Sequence, residues 1–136
     1  MPLIYRSMQK DGDRPKLGRT AKTLGVRIPG DIAVDDSGRV FPKTGGMSVV
    51  PAWRLLKTHR IPARLKHLCR DATGKNDLSC WKMGEGEFED GPLARGLNFR
   101  RETATHGLVE PAQVVPLADY EAALAATRDQ WIIDET

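Results

Sequence analysis

Gly38-Arg39-Val40-Phe41-Pro42-Lys43-Thr44-Gly45-Gly46-Met47-Ser48-Val49-Val50-Pro51 is where two apolar runs meet across a polar turn. The first run has β character and ends at Pro42; the second starts at Met47. Between them Gly45 and Gly46 allow φ > 0 and keep any Cβ out of the path of an approaching ligand. The hydroxyls of Thr44 and Ser48 flank the pair. Such a pair suits a site that hydrogen-bonds a phosphate or a ribose, because backbone N–H groups stand beside side-chain donors. The same residues also suit an ordinary hairpin turn, and on this stretch alone both readings stand.

Upstream, residues 31–35 and 39–41 enclose Asp36-Ser37-Gly38, a turn composition that predicts a hairpin leading into the Thr-Gly-Gly turn. Residues 3–8 alternate and predict a first strand inside the sheet, with Tyr5 and Arg6 on opposite faces. Between them, residues 10–27 carry six basic side chains and few apolar ones. A stretch of that length predicts a loop that is either mobile or functional.

Downstream, Pro51 and Pro62 each predict the start of a short helix. Residues 54–70 hold Arg54, Lys57, His59, Arg60, Arg64, Lys66, His67 and Arg70 with no acid among them. A nucleic-acid surface would interleave aromatic residues for stacking, and none lies between Trp53 and Trp81. The segment therefore reads as a solvated basic face or a patch for an acidic partner. Gly74-Lys75 is not a phosphate loop, since Cys69 stands where the first glycine would be needed.

Residues 78–83 predict a strand, and residues 84–91 an acidic, flexible loop in which Glu85 and Glu87 can present two carboxylates on one face. Residues 97–101 and 105–110 predict two neighbouring strands, the second placing His106, Leu108 and Glu110 together. His106 is either a hydrogen-bonding group near pH 7 or a structural histidine. Pro116 introduces a helix over 117–127, with Leu117, Tyr120 and Leu124 as its packed stripe and Asp119 and Glu121 in its first turn. Residues 131–133 fit either a continuation of that helix or a last strand.

The chain has the length of one domain, 1–136. Its net charge of +3 hides an asymmetry: residues 1–70 carry 15 Lys/Arg against 5 Asp/Glu, and residues 71–136 carry 6 against 13. Such a dipole can bind a polyanion, pair one half with the other, or dock on an acidic partner. Cys69 and Cys80 lack the spacing and the second pair of a metal site, so no metal is expected and the thiols read as reduced. No apolar run approaches a bilayer's thickness and no secretory signal core is present. These features predict a soluble, cytoplasmic protein without membrane contact, exported, if at all, by a route that reads no cleaved signal.

Three blocks together resemble the bacterial type VI secretion exported effector toxins, whose domain has an ADP-ribosyltransferase-like fold. They are Ile4-Tyr5-Arg6; Asp31-Ile32 leading through Gly38-x-Val40-x-Pro42-x-Thr44-Gly45-Gly46-x-Ser48-Val49; and Ala104-Thr105-His106 with Pro111-Ala112. The segment 53–102 has no counterpart, Met47 stands where the family often has threonine, and no glutamate aligns with a catalytic position. The resemblance implies one α+β domain with a split antiparallel β-sheet and peripheral helices, acting on NAD as an ADP-ribosyltransferase-like toxin. It implies that Arg6, Thr44, Gly45 and Gly46 bind NAD and that Ser48 and His106 serve the chemistry; Tyr5 joins the NAD-binding set as a stacking surface for nicotinamide. Its implied partners are a cognate immunity protein and an acceptor macromolecule.

Cleaving the nicotinamide–ribose bond generates an oxocarbenium-like ribose, which calls for a phosphate anchor, ribose hydrogen bonds and a nearby carboxylate. Arg6 suits the first task, Ser48 and His106 the second, and Glu87 or Glu110 the third; Tyr5 or Trp81 offers a stacking surface. The competing class is a non-enzymatic module of the same fold whose basic half holds RNA or an acidic protein. A structural protein alike only in fold is a third reading.

Overall fold

The computed structural model describes residues 1–136. In chain order its strands are β1 (Ile4–Asp11), β2 (Arg14–Pro15), β3 (Arg39–Val40), β4 (Met47–Val49), β5 (Leu78–Met83), β6 (Gly91–Ala94), β7 (Leu97–Arg101), β8 (Gly107–Pro111), β9 (Val115–Pro116) and β10 (Ile132–Ile133). One α-helix, α1 (Leu117–Ala126), follows β9, and short 3-10 turns cover Trp53–Leu55, Thr58–Arg60, Ala63–Leu65 and Arg128–Gln130. The strands form two four-stranded antiparallel sheets, β10-β5-β1-β2 and β4-β8-β7-β6, with β3 and β9 as a separate pair. The chain is thus one small α+β domain of mostly antiparallel strands.

The two sheets meet at a single backbone pair. Tyr5 N–H donates to Val50 O at 2.8 Å, and Val50 N–H donates to Tyr5 O at 3.0 Å. No further backbone hydrogen bond joins β1 to β4.

Alternation along the strands decides which core each side chain joins. Ile4 and Met8 of β1, Met47 and Val49 of β4, Trp81 and Met83 of β5, and Phe99 of β7 enter the larger core. Tyr5, Val50 and Cys80 enter a smaller one with Trp53, Ile61 and Leu65. α1 closes the larger core with Tyr120 and Leu124, and the Tyr120 hydroxyl donates to Val109 O at 2.6 Å. Burying each such large apolar side chain contributes about 1.5–3 kcal/mol. No helix is long and apolar enough to cross a membrane.

Several local expectations change. The two runs of the stretch 38–51 do not pair with each other: β3 pairs with β9, and β4 pairs with β8, so the Thr-Gly-Gly turn is a crossing between sheets and not a hairpin. A turn does close at Asp35, whose N–H donates to Arg39 O at 3.0 Å, but residues 31–35 form no strand. Instead Gly46 N–H donates to Asp31 O at 3.0 Å and Ile32 sinks into the larger core. The helices after Pro51 and Pro62 are single 3-10 turns. Residues 10–27 are largely without regular structure, yet Leu24 and Val26 are buried and pin the loop to the core. β8 begins at Gly107, which leaves Thr105 and His106 in the turn before it. Residues 131–133 supply β10, which pairs with β5.

Candidate functional site

Beside the Tyr5–Val50 pair, between β1 and β4, a cavity of about 280 Å³ opens. Arg6, Ser48 and His106 line it, drawn from β1, β4 and the turn before β8. Arg27, Asp31, Lys57 and Arg60 supply the rest of its charged lining. Four fixed cations therefore face one carboxylate, and that carboxylate is already engaged. Arg27 donates Nε at 3.2 Å and Nη2 at 2.9 Å to the Asp31 oxygens, and its backbone N–H donates to the same group at 2.7 Å. Partial burial pushes the Asp31 carboxyl up, but these donors together with the charge of Arg6 hold it below the ordinary carboxylate range.

Arg6 is only 6% exposed and has no carboxylate in ion-pair contact. Its fork is spent on backbone carbonyls: Nε donates to Thr23 O at 3.1 Å, Nη1 to Ser48 O at 2.9 Å, and Nη2 to Thr23 O at 3.0 Å and Gly25 O at 3.3 Å. Burial brings the guanidinium down to about 10, opposed by Asp31 and reinforced by Arg60, so it remains charged at neutral pH. Arg6 therefore gives the cavity positive potential while its hydrogen bonds organise the loop 20–25 and fasten it to β4.

Ser48 points away from the core that its neighbours Met47 and Val49 enter, as period two requires, and its hydroxyl has no protein partner. His106 lies at the cavity's edge with Nδ1 2.8 Å from Glu102 Oε1. The backbone fixes that pairing, because Glu102 N–H and Thr103 N–H both donate to His106 O. The Glu102 contact occupies Nδ1, orients the ring and leaves Nε2 without a protein partner. The spacing Glu102-x-x-x-His106 across a short turn was the available signal for this partner.

The other expected site residues lie elsewhere. Tyr5 faces the smaller core, donates its hydroxyl to Asp134 at 2.8 Å, and has its phenol pushed up to about 12 by burial and then by Asp134. Thr44 closes its own turn by donating to Phe41 O at 2.7 Å. Gly45 (φ +153°) and Gly46 are buried, and their missing Cβ atoms admit the Asp31 and Val109 carbonyls respectively. These glycines permit backbone to approach backbone, and none of the four residues lines the cavity. Trp81 is a core residue whose indole N–H donates to Met8 O at 3.0 Å.

Neither suggested glutamate reaches the site. Glu87 is exposed on its loop, and Glu110 is buried, accepting from Arg100 Nε at 3.0 Å and Lys43 N–H at 2.9 Å. No group of three or more His, Cys, Asp or Glu side chains is placed to hold a metal ion. Both cysteines are free, and burial pushes the Cys80 thiol up to about 12, which makes it a poor nucleophile.

Sequence reading missed Arg27, Asp31, Lys57 and Arg60. Arg60 belongs to the basic segment taken for a solvated face, yet its backbone carbonyl accepts from Ser7 Oγ at 2.6 Å and its Nη1 donates to Ala21 O at 2.9 Å. Compared with protein-family models, curated proteins and solved structures, the chain matches none of them.

Proposed function

We propose that the cavity between the sheets is an NAD site and that the protein is an ADP-ribosyltransferase-like toxin acting inside target cells, neutralised by a cognate immunity protein. The observation that carries this reading is the meeting of Arg6, Ser48 and His106 in one cavity from three distant segments. These are three of the residues on which the resemblance to the exported effector toxins rests, and they meet between the two four-stranded sheets. The volume, just below the ligand-site range of roughly 300–1,000 Å³, suits one half of a dinucleotide with the rest extending to solvent.

In this reading the cations hold the pyrophosphate, and the free Ser48 hydroxyl and His106 Nε2 meet ribose hydroxyls or the carboxamide. The nicotinamide–C1′ bond breaks with its electron pair leaving on nicotinamide. An acceptor nucleophile then forms a bond to C1′ and loses its proton to a base. His106, oriented by Glu102, is the group placed to take it.

A second reading has one observation in its favour: the only carboxylate lining the cavity is held in the Arg27 fork. A non-enzymatic module would bind its ligand there without turnover.

Calorimetric titration with NAD, paired with transfer of labelled ADP-ribose to bacterial lysate, tests the proposal. Binding with transfer, lost in folded Ser48→Ala and His106→Ala, is the expected result. Those variants should also relieve the growth defect caused by expression in bacteria. Binding without transfer or NAD hydrolysis supports the module, and absence of NAD binding removes the proposal.

A further inference from the structure

In the residue set carried by the resemblance, the phosphate anchor is Arg6. The geometry points elsewhere: we infer that Arg60, assisted by Lys57, forms the diphosphate-binding edge of the cavity, and that Arg6 is its structural support. The inference rests on the NAD reading only for the identity of the molecule that carries the phosphates.

Donors already in use narrow the choice of anchor. A guanidinium recognises two oxygens of a phosphate through a pair of parallel N–H groups, most often Nε with one Nη. In Arg6 that edge is closed by Thr23 O, and in Arg27 by the Asp31 carboxylate. In Arg60, Nη1 alone has a protein acceptor, the carbonyl of Ala21. Its Nε also lacks a partner but is enclosed by protein, so Nη2, which has no protein acceptor, is the donor open to a ligand. A donor left unmade is costly, so such groups are satisfied by something the protein meets.

What it meets is defined by charge. Asp31 is neutralised by Arg27, which leaves Arg6, Lys57 and Arg60 in the lining with no acid opposite them. Lys57 is exposed, stands at the entry to the 3-10 turn Thr58–Arg60, and makes no ion pair. That turn is braced from below by the Ser7 hydroxyl on the Arg60 carbonyl and continues into Ile61, which is fully buried. A rigid turn therefore places a point charge and a planar fork three residues apart on one wall. Two adjacent phosphates, carrying two negative charges, match that pair better than a single carboxylate.

The experiment is calorimetry with ADP-ribose and inorganic pyrophosphate as diphosphate probes, AMP as the monophosphate control, and NAD and a short RNA as further arms. Wild type should bind ADP-ribose and pyrophosphate more tightly than AMP. Arg60→Lys keeps the charge but loses the fork, and should weaken ADP-ribose binding about tenfold. Lys57→Gln should weaken it by about threefold to fivefold, in a salt-dependent way. Lys57→Gln should keep the wild-type thermal midpoint, whereas Arg60→Lys also loses the bond from Nη1 to Ala21 O and should lower it slightly, so its affinity is read well below that midpoint.

ADP-ribose binding that falls in Arg60→Lys, without any NAD binding, would keep the diphosphate edge and remove the NAD reading. Absence of diphosphate binding by wild type, or equal affinities for wild type and Arg60→Lys, would overturn the inference. So would RNA binding that falls steeply with salt and ignores Arg60→Lys, which would identify a diffuse basic surface.

Discussion

Replacing Arg6 by lysine keeps a charge at the cavity wall and removes the fork that ties loop 20–25 to β4. An ammonium cannot reach the Thr23, Gly25 and Ser48 carbonyls at once, so buried acceptors are left unmade. The expected cost is about 2–4 kcal/mol, read from urea unfolding. Unfolding identical to wild type would show that the loop holds itself. Gly46→Ala acts through backbone: its new Cβ would meet the Val109 carbonyl across the β4–β8 ladder. We expect a loss of about 2 kcal/mol or more and a lower thermal midpoint, because neither partner is the end of a flexible side chain. At this scale the sequence announced Ser48 and His106 as polar residues on strand-like runs, and it announced Arg6 by its place in an early strand. It could not announce how Arg6 spends its donors, since its acceptors are carbonyls, which every residue carries. Nor could it separate Arg60 from the other cations of segment 54–70, because a fork left open is visible only once its neighbours are placed.

Among the elements, the last three residues act as a strap. Glu135 accepts from both Arg64 nitrogens, at 2.7 and 2.8 Å, and from Cys80 N–H at 3.1 Å, while Asp134 takes Tyr5 Oη and lies 3.2 Å from Lys82 Nζ. The Thr136 and Tyr5 hydroxyls hold the Asp134 carboxyl well below the usual range. Partial burial pushes the Glu135 carboxyl up, but the Arg64 fork and Cys80 N–H outweigh it. Both pKa values are depressed in the folded state, so this stabilisation is full above the ordinary carboxylate value of about 4 and drains away as pH falls through the folded values. A urea midpoint followed from pH 7 to pH 2 should therefore drop on its acid side. Glu135→Gln should cost about 1 kcal/mol at pH 7, discounted for solvent around the pair, and should flatten that drop. An unchanged acid limb would remove Glu135 from the account. Elements with a clear period were legible: β1, β5, β7 and α1 stand where alternation or the i, i+3, i+7 stripe placed them. Residues 31–35, read as one side of a hairpin, are not a strand: the Asp31 carbonyl accepts from Gly46 N–H in the space left by the missing Cβ of Gly45, and no ladder follows.

For the molecule as a whole, the charge asymmetry finds part of its answer inside the chain. Arg14–Asp129, Arg19–Glu121 and Arg64–Glu135 pair the basic first half with the acidic second, while Asp11–Arg128 joins the halves with the opposite polarity. Lys57 and Arg60 take no part in this and face the cavity instead. Topology was the least legible level, since β1 and β5 are joined only after some seventy residues of intervening chain and no local pattern names a partner at that distance. One feature of that topology turns into a clock. Because only Tyr5 and Val50 tie the two sheets through backbone, any swing that widens the cleft must release those two amide protons to solvent. Deuterium uptake at the Tyr5 and Val50 amides would then count the openings, and a diphosphate seated between the sheets should slow both amides together while leaving the exposed acidic loop, 85–90, at its free rate. Uptake at the two amides that differs from one to the other, or ignores the ligand, would mean that the walls stay fixed and that molecules enter a cleft already open.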